Sequence, residues 1–204
     1  MTQSAALEAA RRVVLVEAAA VAALAERLDQ RFEAALQAVT SCRGRVIVSG
    51  LGKSGHIGRK IAATLASLGT PAHFVHAAEA LHGDAGMVGP DDVLIVLSNS
   101  GQTSEVCWLA GHARALGCTV IAMTGCAGTS ALADAVDVHL DVCIETEADP
   151  HGLAPTSSTT AALALGDALA VAASVTRGFA PADFAATHPG GSLGRRLAGD
   201  AARA

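Results

Sequence analysis

Between positions 4 and 39, Ala, Leu, Glu and Arg dominate, and Val14, Val21, Leu24 and Leu28 recur at helical spacing. The pattern predicts a helical extension. It then gives way to short, uninterrupted β-branched runs at 45–49, 72–75, 93–97, 119–123 and 136–142. Helical patterns alternate with these runs at 55–68, 103–116, 130–133 and 156–175. Continuous apolar strands separated by helices mark a parallel sheet covered on both faces. The expected class is therefore α/β: a five-stranded parallel sheet in a three-layer α-β-α sandwich. Residues 1–40 form the N-terminal helical extension and 41–204 the sheet domain, one domain overall. No internal repeat or low-complexity linker interrupts it.

Composition narrows the partners. Hydrophobic residues make up 51% of the 204 positions but aromatics only 2%, with one Trp, four Phe and no Tyr. The core must be built from Ala, Val, Leu and Ile, and too few rings remain for a base-stacking platform. A net charge of −5 lacks the basic field of a nucleic-acid binder. The apolar stretch 13–24 is broken by Glu17, and the uncharged stretch 115–133 by three glycines, so no membrane span is expected. Glu17 also interrupts any signal-peptide core after Arg11 and Arg12. Five scattered cysteines with no Cys-x-x-Cys pair predict reduced thiols and a cytoplasmic location.

In open parallel sheets the ligand sits beyond the carboxyl ends of the strands. The first strand runs into Gly50-Leu51-Gly52-Lys53-Ser54-Gly55, where backbone and helix N–H groups could approach an anion. A Walker loop would need Gly where Ile47 stands. A dinucleotide fingerprint matches by letter, but the next strand ends in Phe74-Val75-His76 without the acidic residue that fingerprint needs. The third strand leads into Ser98-Asn99-Ser100-Gly101-Gln102-Thr103-Ser104, and the last helix opens on Pro155-Thr156-Ser157-Ser158-Thr159-Thr160. Capping would use one such side chain; the surplus points to a phosphorylated small molecule. Candidate ligand contacts are Gly52, Ser54, Ser98, Asn99, Ser100, Gln102, Thr103, Ser157, Ser158 and Thr159, with Lys53 as a compact cation among them.

These segments, together with Glu79-Ala80-Leu81-His82-Gly83-Asp84, Gly152-Leu153-Ala154-Pro155 and His188-Pro189-Gly190-Gly191-Ser192-Leu193-Gly194, resemble the arabinose 5-phosphate isomerases, enzymes built on a sugar isomerase (SIS) domain. The resemblance runs from about residue 10 to 197. It implies interconversion of ribulose 5-phosphate and arabinose 5-phosphate, which feeds Kdo synthesis for lipopolysaccharide or capsule. It associates Lys53, Glu105, Glu147 and His188 with catalysis, and implies a homotetramer whose sites draw on neighbouring subunits. Most relatives continue into a pair of CBS domains; this sequence stops at Ala204, as a short form would.

Aldose–ketose exchange needs a base, an acid or polarising group, and no redox cofactor. His188 titrates near neutral pH and could serve as base or assist ring opening. Burial is expected to raise Glu105 and Glu147 toward acid–base work, and Lys53 would neutralise an enediolate oxygen. Blander roles exist: a helix-dipole acid at Glu105, a solvated loop at Glu147, a turn at His188. His76, Glu79 and His82 stand at i, i+3 and i+6, a spacing that could hold zinc through His82 on one helical face. Two other functions compete: an SIS isomerase of heptose or hexulose phosphates, and a non-catalytic sugar-phosphate sensor, although no basic helix-turn-helix precedes this domain. The N-terminal helix carries more small apolar surface than one domain face needs, so it is expected to pack against another subunit, with burial on its own domain as the alternative.

Overall fold

The β-branched runs form five strands, β1 (Val46–Gly50), β2 (Ala72–His76), β3 (Val93–Leu97), β4 (Thr119–Thr124) and β5 (Val138–Asp141). A computed structural model describes residues 3–125 and 130–189. All strand pairs are parallel, in the order β2-β1-β3-β4-β5. Gly50 lies level with both His76 and Leu97, so the central strands end on one line. The chain leaves β1 toward one edge and β3 toward the other, and that reversal opens a crevice between their carboxyl ends.

The helices are α1 (Gln3–Ala25), α2 (Gln30–Ser41), α3 (Gly52–Ser67), α4 (Ala77–Ala80), α5 (Ser104–Ala115), α6 (Ala131–Asp134), α7 (Ser157–Thr176) and α8 (Pro181–Thr187). Alternation along the strands sends side chains to opposite faces. Val46, Val48, Ile95, Ile121 and Met123 meet α2, α3 and α7, whereas Ile47, Leu94, Val96 and Val120 meet α4, α5 and α6. Three layers result, as the sequence pattern predicts.

The N-terminal extension differs from expectation. Instead of one helix over 4–39, the chain breaks between Ala25 and Gln30, where the Asp29 carboxylate accepts the Arg31 N–H at 2.8 Å and starts α2. Leu24, Ala35 and Val39 are buried in the same core as α7, so the extension shares the domain's interior. A second correction concerns α7. By length and composition it could cross a membrane, a stretch that the reading of 13–24 and 115–133 overlooks. Here its Ala161, Leu165, Leu169, Ala170 and Ala173 stripe is buried against the sheet, with α1, α2 and α3 around it. The short α4 and α8 carry too little periodicity to show in the sequence; α8 is announced only by Pro181 at its first position and Asp183, whose carboxylate accepts the Ala180 N–H at 2.8 Å.

Candidate active site

The crevice is real. A cleft of about 360 Å³ lies at the carboxyl ends of β1 and β3, walled by Leu51, Ile57, Leu97, Met123, Val142 and Ala162. Polar groups converge on it from three helix starts: Lys53 and Ser54 from α3, Ser98, Asn99, Ser100 and Thr103 before α5, and Pro155, Ser158 and Thr159 at α7. Sequence reasoning missed the apolar wall. Its one signal was that these residues close strands or open helices along a common rim.

The glycine loop proves to be helix. α3 begins at Gly52 rather than near Gly55, with Leu51 at the N-cap providing no side-chain acceptor. Its first N–H groups therefore face the cleft available to an anion, with Lys53 beside them. α5 has the same property: Thr103 is its N-cap without a side-chain cap, because the Thr103 and Ser98 hydroxyls bond each other at 2.9 Å. Ordinary capping, the bland account of this Ser- and Thr-rich loop, does not describe it.

The loop from 98 to 103 is held rigidly. Ser98 N–H donates to Met123 O at 3.1 Å, Gly125 N–H to Asn99 O at 2.9 Å, and Leu132 N–H to Gly101 O at 3.1 Å. Gly101 adopts φ +61°, and a Cβ built on it would lie 2.1 Å from Ser130 Oγ, so only glycine fits. The Gln102 N–H donates to Ser100 Oγ at 3.2 Å, but Gln102 does not line the cleft.

At α7 the cap is supplied from outside. Glu147 Oε2 accepts the Thr156 N–H at 2.8 Å, the Thr156 hydroxyl at 3.1 Å and the Ser158 N–H at 3.2 Å, while Oε1 accepts the Ser158 hydroxyl. Burial alone would raise this carboxyl. The Ser158 hydroxyl, the backbone N–H groups and the Thr156 hydroxyl together outweigh it and hold Glu147 below its ordinary value. Glu105, in the first turn of α5, is also lowered, by its own backbone N–H and then by the Ser104 hydroxyl at 2.9 Å. The expectation that burial raises both carboxyls is thus overturned: hydrogen bonds to the charged form win. Neither Glu105 nor Glu147 lines the cleft itself. Ser157 is fully buried behind it, its hydroxyl without a partner among the described residues.

His188 stands elsewhere. α7 spans about 30 Å at 1.5 Å per residue. At its far end the Arg177 guanidinium donates to Val39 O at 2.8 Å and Gly69 O at 3.2 Å, and the Phe179 ring packs on Gly69, at the amino edge of the sheet. His188 follows α8 and does not line the cleft of its own chain. The imidazole stacks on Phe184 at 3.8 Å, and its Nδ1 lies within hydrogen-bond distance of Phe184 O at 2.9 Å and of the Thr187 hydroxyl at 3.0 Å. Positions 190–194 of the same motif lie outside the described residues.

The helical face expected to carry zinc ligands does not form. His76 closes β2, only Ala77–Ala80 is helical, and the exposed His82 follows that turn, so the three do not share a helical face. Among the described residues no group of three or more His, Cys, Asp or Glu side chains is close enough to hold a metal ion.

The parallel sheet order and the crevice beyond its carboxyl ends are those of a doubly wound α/β domain, and the SIS domain family matches residues 40–172; the chain belongs to this family. It is 53% identical over 190 residues to the arabinose 5-phosphate isomerase KdsD of Escherichia coli O6:H1 strain CFT073, and 53% over 191 to that of Pseudomonas aeruginosa PAO1. These alignments cover 93% and 94% of this chain but 58% of each relative, so the chain spans under two thirds of their length. A solved E. coli CFT073 protein in complex with A5P superposes with a TM-score of 0.88 at 40% identity, covering 93% of this chain and all of that one.

Proposed function

We propose that this chain is an arabinose 5-phosphate isomerase that interconverts D-ribulose 5-phosphate and D-arabinose 5-phosphate through an enediol. The observation that carries this is the meeting, in one cleft, of two helix N-termini lacking side-chain caps with Lys53 and the hydroxyls of Ser98, Thr103, Ser158 and Thr159. Such a cradle suits a phosphate at one end and sugar hydroxyls at the other. The substrate named by the relatives, and the A5P in the solved neighbour, fit that cradle.

In this reading the α5 loop binds phosphate, and Lys53 stabilises negative charge on the enediolate oxygen. Glu147, ionised by its hydrogen bonds, fixes the start of α7; Glu105 is the second carboxylate available for proton transfer. Hydrogen moves within one molecule, so no redox cofactor is called for. His188, absent from the lining of this chain's cleft, acts from a neighbouring copy in a homotetramer. The exposed Leu7, Val14 and Leu15 of α1 support an intersubunit role for that helix. The free thiols of Cys42, Cys107, Cys118 and Cys143 support a cytoplasmic setting, and Kdo synthesis for lipopolysaccharide or capsule is the role such a product serves.

Incubation with ribulose 5-phosphate, followed by chromatography for arabinose 5-phosphate, tests the reading. Product at the equilibrium ratio is expected. Turnover of a hexulose or heptose phosphate in its place would overturn the substrate assignment, and tight binding without turnover would make the protein a sensor.

A further inference from the structure

Glu17 is the one charged residue in the otherwise apolar stretch 13–25 of α1. Its carboxylate accepts the Thr160 hydroxyl of α7 at 3.1 Å, across 143 positions of chain. A carboxylate in an apolar seam is costly unless it gains a donor, and an Ala or Leu would pack there more simply. The bond also does something specific to Thr160. Threonines in helices commonly turn their hydroxyl back to a carbonyl three or four residues earlier, as Thr159 does to Thr156 O at 2.9 Å and Thr176 to Ala172 O at 2.9 Å. The Thr160 hydroxyl donates to Glu17 instead.

Thr160 directly follows Ser158 and Thr159, which line the cleft. The first turn of α7 is thereby fixed twice, at its end by Glu147 and on its flank by Glu17. α1 also borders the loop before Glu147: Val16, Ala20 and Ala23 line a groove of about 250 Å³ whose lining includes Cys143, Ile144 and Thr146.

We propose that Glu17 is a positioning residue for the isomerase site, acting through Thr160 to set the orientation of the Ser158–Thr159 hydroxyls. This rests on the functional reading above. The tests are Glu17→Ala, Glu17→Gln and Thr160→Val, with the double variant Glu17→Ala/Thr160→Val, in the full chain. Glu17→Ala and Thr160→Val are each expected to lower kcat/KM for ribulose 5-phosphate about tenfold, since small misplacements of contact groups cost that much or more. Glu17→Gln, whose amide oxygen still accepts the hydroxyl, should stay within about twofold of wild type, and the double variant should be no worse than either single one. The shape of the pH profile should be the same throughout, because Glu17 takes no proton from substrate.

Wild-type kcat/KM in Glu17→Ala, additive losses in the double variant, or a lost pH limb in Glu17→Gln would each overturn the proposal. Should Glu17→Ala fail to fold, Thr160→Val and Glu17→Gln decide by the same criteria. A wild-type chain that binds arabinose 5-phosphate without turning it over would sink the isomerase reading alone; the same pattern would then be read in Kd by calorimetry. A wild-type chain that does neither would sink both.

Discussion

Glu147 and Ser158 grip each other twice: the serine hydroxyl donates to one carboxylate oxygen and its backbone N–H to the other, at 3.2 Å for the latter. The pair joins an irregular loop to the start of a 20-residue helix. An ionised acid at this helix start complements the unpaired N–H groups there.

The acid limb of stability should report that contact. A carboxyl lowered from 4.5 in the folded chain contributes stability that is present above the unfolded value and lost as pH falls through the folded one. Urea melts from pH 7 to pH 3 should show wild type more stable than Glu147→Gln at neutral pH, with the difference shrinking below about pH 4.5. Glu147→Ala should cost about 1–2 kcal/mol at pH 7, the range for a lost helix cap. A gap independent of pH would contradict the assignment.

Lys53 stands in the cleft, on the first turn of α3. Lys53→Ala should leave the melting temperature unchanged while kcat falls by about 10²–10³, the usual cost of one lost charge stabiliser. Steady-state kinetics beside a thermal melt checks both halves.

Gly101 tests the rigidity of the phosphate loop. Gly101→Ala forces a side chain into positive φ and onto Ser130 Oγ. The expected loss is about 1–3 kcal/mol of stability together with phosphate affinity, measured by denaturation and by titration of inorganic phosphate.

The proposed sharing of sites between subunits makes a different prediction. Lys53→Ala and His188→Ala should each be nearly inactive alone. Refolded together they should regain activity, because one mixed site then holds Lys53 from one chain and His188 from another. No recovery would place both residues in one chain's site.

Much of the architecture was legible because burial imposes its own periodicity. The strands 93–97 and 119–123 are apolar throughout, since helices cover both faces, and the hydroxyl-rich segments mark where strands end. The break at Asp29 was not legible: a capping residue inside a long Ala-rich pattern looks like any polar position on a helix. Carboxyl chemistry was misread for a related reason. Sequence shows that Glu147 sits near a Ser- and Thr-rich segment, but only the fold shows four donors turned onto it. His188 was legible by motif alone; that it does not line the same cleft as Lys53 only the fold shows.

The seat of Phe179 on Gly69 has a practical consequence. α8 starts beyond that seat, so under the proposed sharing of sites a protomer set apart from its fellows lacks a His188 at its own cleft. Such a molecule would stay folded yet go dark on dilution, and specific activity would climb with protein concentration until assembly saturates.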